Sequence, residues 1–161
     1  MININCCFKE EKQMERRVVI TGMGAITPIG KDVEQTWKSI KEKKCGIDEI
    51  SLFDTNNFKT KLDAEVKEYN PLDYFELKQS KRLDRVSQFA IIAAREAVSL
   101  SGITKENTDF DRVGVFVSSG IGGLKTIQEQ CNINFEKGNK RISPMFIPMS
   151  IANMPARKYF N

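Results

Sequence analysis

The stretch Arg16-Arg17-Val18-Val19-Ile20-Thr21-Gly22-Met23-Gly24-Ala25-Ile26-Thr27-Pro28-Ile29-Gly30 sets the tightest limit on what this chain can build. Val18-Val19-Ile20 is too continuously apolar to alternate between a wet and a dry face, which is the pattern of a strand buried on both sides of a parallel sheet. The glycines that follow let backbone approach backbone closely. Such a strand belongs inside a layered α/β body.

The rest of the chain reads in that frame. Asp32 is placed to cap a helix whose Val33, Trp37 and Ile40 share one face, packed beside the first strand and closed by Gly46 after the cationic turn Lys41 to Lys44. From Ile47 to Tyr69 the expectation is loop with short extended pieces such as Leu62 to Val66, and Asn70-Pro71 punctuates its end. Leu83, Val86, Ala90, Ala93, Ala97 and Leu100 recur at threes and fours, a helical stripe stopped by Gly102 and capped by Asp73 or Ser80. Val113-Gly114-Val115-Phe116-Val117 reads as a second buried strand, and Ser118 to Gly123 turns it into a helix from about Leu124 to Glu136. The alternation of strand and helix is that of βαβ units.

With 161 residues, 40% hydrophobic and 29% charged, the composition is that of one soluble globular domain. No apolar run is long enough to span a bilayer, and residues 1–13 lack the character of a secretory leader. Cys6, Cys7, Cys45 and Cys131 have no metal-type spacing, and the chain has no histidine to complete a ligand set, so no metal site is expected. A reducing compartment, a bacterial cytosol or an organelle matrix, is the plain reading. The net charge of +4 is dispersed, without the aromatic interleaving of a nucleic-acid surface, so no nucleic-acid partner is expected.

Two glycine turns imitate nucleotide loops and fail on inspection. In Gly22-Met23-Gly24-Ala25-Ile26-Thr27 the third glycine position is Thr27, and Pro28 interrupts the helix entry that a dinucleotide fingerprint requires. In Gly120-Ile121-Gly122-Gly123-Leu124-Lys125-Thr126 the residue before the lysine is Leu124 where a phosphate loop needs glycine. No cofactor is expected. The basic cluster Lys78, Lys81, Arg82 and Arg85 lies near a helix start, where cations oppose the macrodipole at about 0.3–1 kcal/mol each. Stability alone therefore gives it no rationale unless Asp73 caps that helix. Met145, Phe146 and Ile147 form an apolar patch beside Lys140 and Arg141, which calls for burial against something, most simply a second subunit.

As a set, the opening strand, Trp37, Cys45-Gly46-Ile47, Phe53-Asp54, Lys81-Arg82-Leu83-Asp84-Arg85, Arg112-Val113-Gly114-Val115, the second glycine turn and Ile147-Pro148-Met149-Ser150-Ile151-Ala152-Asn153-Met154 resemble the β-ketoacyl-[acyl-carrier-protein] synthases, and among them the type II synthase of fatty acid synthesis. The resemblance runs continuously from Glu15 to Met154. It implies a thiolase-like αβαβα architecture of which this chain supplies most of the first half, and a homodimer in the full-length family. It divides the chain into residues 1–13 as an upstream extension ahead of Met14, residues 14–154 as the N-terminal part of the synthase domain, and residues 155–161 as a divergent tail. Mass spectrometry of the native product would test the first boundary by showing whether Met14 is the initiator.

The same resemblance implies roles. Ile121 would help close the acyl-chain pocket and Phe146 would line that of the partner subunit, although Ile121 reads equally well as an ordinary core residue. Lys78, Lys81, Arg82, Lys140 and Arg141 would dock an acidic acyl carrier protein, the alternative being a merely solvated face. The family's chemistry is decarboxylative chain extension by one cysteine and two histidines, with no metal or organic cofactor. None of the four cysteines matches the nucleophile, and Pro155 to Asn161 stands where the family continues toward it. No catalytic residue is assigned, and the chain alone is expected to be inactive and poorly stable. A non-catalytic module that binds the carrier or caps a subunit, or the product of a damaged gene, are the competing readings.

Overall fold

The computed structural model describes residues 17–154 and residue 156. The expectations for residues 1–13 and for the tail as a whole fall on residues outside that description.

The helices stand close to where their periodicity puts them. Helix α1 spans Val33–Lys41, and the Asp32 carboxylate accepts the Gln35 amide at 2.7 Å as its cap. Helix α3, Arg85–Ser101, is 17 residues long, about 26 Å at 1.5 Å per residue, and ends on Gly102 at φ 69° as the sequence requires. Helix α4 spans Leu124–Lys137. Between α1 and α3, strands β1 (Asp48–Glu49) and β2 (Leu62–Asp63) form a short antiparallel pair in the stretch expected to be mostly loop. Asn70 then caps a one-turn 3-10 helix at Pro71–Asp73, followed by α2, Leu77–Ser80; α5, Phe146–Ser150, comes after α4.

Two helix boundaries need correction. Gly46 does not close α1: the helix stops at Lys41, and Lys43 takes the left-handed turn at φ 57°. Gly46 is needed elsewhere, since a Cβ there would meet Ile29 Cγ2 at 2.8 Å. The cap of α3 is neither Asp73 nor Ser80 but Asp84, whose carboxylate accepts the Val86 amide at 3.2 Å.

The larger correction concerns the two expected strands. Neither Val18 to Ile20 nor Val113 to Val117 forms a strand. Val18 is 92% exposed, Ile20 84% and Phe116 98%, and among the described residues neither segment lies in a ladder. A strand is stabilised by the neighbour that pairs with it, and the described chain offers these segments none. Helix α1 accordingly does not pack beside a first strand: Trp37 stays 59% exposed, and the helix buries Ser39, whose hydroxyl donates to the Ile29 carbonyl at 2.7 Å.

The core sits instead on α3. Phe75, Leu83, Ile91 and Ile92 are buried together, with Ile26, Tyr69 and Tyr74 packed against them. Full burial of each such apolar side chain contributes about 1.5–3 kcal/mol. The first glycine turn closes over the same helix, because a Cβ on Gly22 or Gly24 would fall 2.1 Å from the Ala97 carbonyl oxygen or 1.8 Å from that of Ala93. The small residues of the α3 stripe thus receive main chain rather than side chains. Glu96 fastens the turn by accepting the Ala25 amide at 2.9 Å and the Val33 amide at 2.8 Å.

Candidate functional site

Of the first basic cluster singled out by the sequence, Lys78 lies on α2, Lys81 and Arg82 on the turn that joins α2 to α3, and Arg85 at the start of α3. After Ser80 the chain tightens through hydrogen bonds from the Arg82 amide to the Gln79 carbonyl at 3.0 Å and from the Leu83 amide to the Ser80 carbonyl at 3.3 Å. This buries Leu83 and leaves Lys78, Lys81 and Arg82 exposed. Buried Gln88 holds the turn from beneath: its amide nitrogen donates to the Ser80 and Leu83 carbonyls, each at 3.1 Å, and its oxygen accepts the Tyr69 hydroxyl at 2.7 Å. Burial of the ring pushes the Tyr69 phenol up to about 12, so it stays a donor at neutral pH.

Arg85, counted with this cluster by spacing, is drawn into the body. Its guanidinium donates to the Val66 carbonyl at 2.6 Å and lies over the rings of Tyr69 and Phe89, 5.4 and 5.0 Å from their centres. The Asp84 cap places a carboxylate at the helix start, so the macrodipole objection to these cations is answered locally.

Lys140 and Arg141 are exposed on the 3-10 turn Asn139–Arg141 that follows α4, beyond Gly138 at φ 79°. The Ser143 amide, donating to the Gln130 side chain at 2.7 Å, ties this turn back to α4. The two basic groups are therefore not one cluster. Helix α4 runs between them, its first turn held to Asp84 by the Thr126 amide at 3.0 Å and the Thr126 hydroxyl at 2.5 Å. Beside that junction a cleft of about 320 Å³ is lined by Lys81, Arg85, Lys125, Thr126 and Glu129.

Ile121 and Phe146 sit on elements that touch. The turn bearing Ile121 packs on the end of α5, the Gly123 amide donating to the Ser150 carbonyl at 3.0 Å, and Phe146 is the first residue of α5. Ile121 is 67% exposed, Phe146 half-buried, and neither lines the cleft above. Within the expected apolar patch Ile147 is exposed while Met145 is half-buried.

The glycine turns face groups of the wrong sign for a phosphate. Carbonyl oxygens of Ala93 and Ala97 fill the approach to Gly24 and Gly22, and those of Met149 and Ser150 the approach to Gly123 and Gly122. Cys45 and Cys131 are exposed free thiols, and among the described residues no cluster of Cys, Asp and Glu is arranged to hold a metal. No described helix is long and apolar enough to cross a membrane. Sequence reasoning passed over Asp84, Gln88 and Thr126. The Asp84 cap had a signal in Asp84-Arg85-Val86, an Asn/Asp-type residue directly before the apolar period; the union with Thr126, 42 residues away, had none.

Residues 15–158 match the family model of the β-ketoacyl synthase N-terminal domain. A 3-oxoacyl-[acyl-carrier-protein] synthase 2 of Staphylococcus aureus is 43% identical over 139 residues, 86% of this chain and 34% of that protein. The synthase 2 of Synechocystis is 39% identical over 140 residues, again 34% of its length. The chain thus spans about a third of the curated relatives it matches. Among solved structures, the ishigamide ketosynthase/chain length factor superposes with a TM-score of 0.72 at 26% identity, over 89% of this chain and 36% of that one. The ketosynthase in a type II polyketide complex with its acyl carrier protein gives 0.71 at 22% identity, over 89% and 38%. The chain therefore has the thiolase-like ketosynthase fold in its N-terminal part, even though the two apolar segments carry no ladder. On the family match and the relatives together, this chain belongs to the β-ketoacyl synthase family, as part of its N-terminal domain.

Proposed function

We propose that the chain is the carrier-docking front of a β-ketoacyl-[acyl-carrier-protein] synthase of fatty acid synthesis, a transferase whose condensation step requires residues this chain does not itself hold. In that reaction a cysteine thiolate attacks the acyl thioester and the carrier thiol leaves. Malonyl thioester then loses carbon dioxide, and the resulting carbanion displaces the enzyme thiolate to form the new carbon–carbon bond. The step needs a nucleophilic cysteine and donors for the developing oxyanion. The chain has no histidine, and Cys45 and Cys131 are exposed free thiols.

The observation that carries the docking role is the exposure of Lys78 on α2 and of Lys81 and Arg82 on the turn that follows, which Leu83, Asp84 and Gln88 fix from below. Cations fixed on a rigid turn suit long-range steering of an acidic carrier. Lys140 and Arg141, beyond the other end of α4, form the second contact. Ile121 and Phe146 are assigned to acyl-chain contact, where a branched and an aromatic apolar side chain suit an alkyl ligand. Residues 14–154 are the synthase portion, the complete enzyme is a homodimer, and it works in a bacterial cytosol or an organelle matrix.

Titration of acyl carrier protein onto the chain tests the docking role. Binding that weakens between about 50 and 200 mM salt and is lost in a Lys81→Glu/Arg82→Glu variant supports it; binding indifferent to both removes it. A condensation assay with acyl and malonyl carrier substrates tests the rest. Turnover by a clean preparation would overturn the claim that the chain lacks the chemistry. The retained cations and the absent histidines also favour a second reading, a non-catalytic carrier-binding module, which the same titration supports when binding persists without turnover.

A further inference from the structure

The Asp84 carboxylate does two jobs 42 residues apart. One oxygen accepts the Val86 amide at 3.2 Å and starts α3; the other accepts the Thr126 amide at 3.0 Å and hydroxyl at 2.5 Å and fixes the first turn of α4. Asp84 is only 6% exposed and Gly123 is pressed against it, a Cβ there falling 3.0 Å from the same oxygen. The negative charge is thus turned inward between two helix starts, which stabilise it. The residues directly flanking this union on the outside are cations. Arg82 and Lys81 precede Asp84 by two and three residues, Lys125 precedes Thr126, and Lys81 and Lys125 line one cleft.

We infer that the docking face extends across this junction onto α4, with Lys125 as a further docking cation and Asp84 as the positioning residue that holds it beside Lys81. The inference rests on the docking reading above and adds a residue and a device to it. Lys125 is available to serve: among the described residues its ion pair is with Glu129 at 3.8 Å, exposed on both sides and therefore weak. Arg85 is not, because the Val66 carbonyl and two aromatic rings occupy it.

Charge and position make opposite forecasts for Asp84→Asn. The variant is one unit more positive, so electrostatics alone tightens the grip on an acidic carrier. Position forecasts weakening, because a side-chain amide has a single acceptor oxygen and can cap α3 or α4 but not both.

The experiment is titration of holo acyl carrier protein onto the whole chain and its variants at fixed salt, with circular dichroism confirming that each retains its helices. Lys125→Glu is expected to weaken binding about tenfold, whereas Lys105→Glu, the same charge change in the exposed loop beyond the far end of α3, leaves it within about twofold of the parent. Asp84→Asn and the charge-neutral Thr126→Val are expected to weaken it about three- to fivefold. Asp32→Ala, which removes the cap of α1, controls for general destabilisation and is expected to bind as the parent does. Loss of binding in Lys81→Glu/Arg82→Glu, with Lys125→Glu indistinguishable from Lys105→Glu, would overturn this inference and leave the docking reading standing. Tighter binding by Asp84→Asn would overturn the positioning role. Absence of binding by the parent, or indifference to the Lys81/Arg82 reversal, would overturn the docking reading and this inference with it.

Discussion

Two regions of similar apolar character meet opposite fates in this molecule. The stripe on α3 draws the glycine turn, the 3-10 turn at Pro71 and the buried Phe75, Leu83, Ile91 and Ile92 into one core. Of the most strand-like stretches of the chain, Val18 to Ile20 stands out in solvent, and Val113 to Val117 leaves Phe116 fully exposed between half-buried Val113 and Val117. A helix satisfies its own backbone and needs a partner for one face only, whereas a strand needs a neighbour for every second peptide group before it exists. A chain that spans about a third of its relatives' length can therefore hold its helices in place while these two segments go unpaired.

The difference can be attacked from either side. The largest effect is expected from Gly24→Val, which forces a side chain onto the Ala93 carbonyl oxygen, 1.8 Å from the position of its Cβ. A loss of about 3 kcal/mol or more in denaturant unfolding would follow, enough to abolish a cooperative transition. Asp84→Ala should cost about 2–3 kcal/mol by the same measurement, as two helix starts lose their cap and the Thr126 donors are left buried without an acceptor. Substituting Phe116 by Ser should change the unfolding free energy by less than about 0.5 kcal/mol, since the ring is 98% exposed, but should reduce self-association seen by light scattering. A large stability loss there would mean that the segment is packed after all.

The comparison also explains what the sequence could and could not disclose. Helix positions followed from the periods at Val33, Trp37 and Ile40 and from Leu83 to Leu100, because those signals are local. The basic turn after α2 was legible as a row of cations, but the withdrawal of Arg85 was not, since its partners Val66 and Tyr69 are 19 and 16 residues away in the chain. Strand character was legible too, in Val18-Val19-Ile20 and Val113 to Val117. What is not written in those residues is whether pairing strands are within reach. Gly46 shows the same limit: a glycine after a cationic turn looks like a helix stop, and only the nearness of Ile29 reveals its use.

The smallest effect concerns the bonds that join the two arms of the hairpin. Buried Glu65 accepts the Ser51 hydroxyl at 2.6 Å and the Ser51 and Leu52 amides, and the Ser51 bond leads in holding its carboxyl below the ordinary 4.5. Asp48 is likewise lowered, chiefly by its hydrogen bond from Lys67. A carboxyl lowered on folding binds its proton more readily when unfolded. Its contribution is therefore complete above the ordinary value and disappears as pH falls through the native one. Melting temperature should fall as pH drops below 4.5, and Glu65→Gln should flatten that fall while leaving the α3 core in place.

Residue-resolved amide hydrogen exchange tests the contrast most directly. Slow exchange through α3 and at Thr126, together with exchange near the unfolded rate at Val18 to Ile20 and Val113 to Val117, is the outcome required by a formed helical body with an unbuilt sheet. Protection of those two segments equal to that of α3 would contradict it, because they would then be paired strands within the molecule.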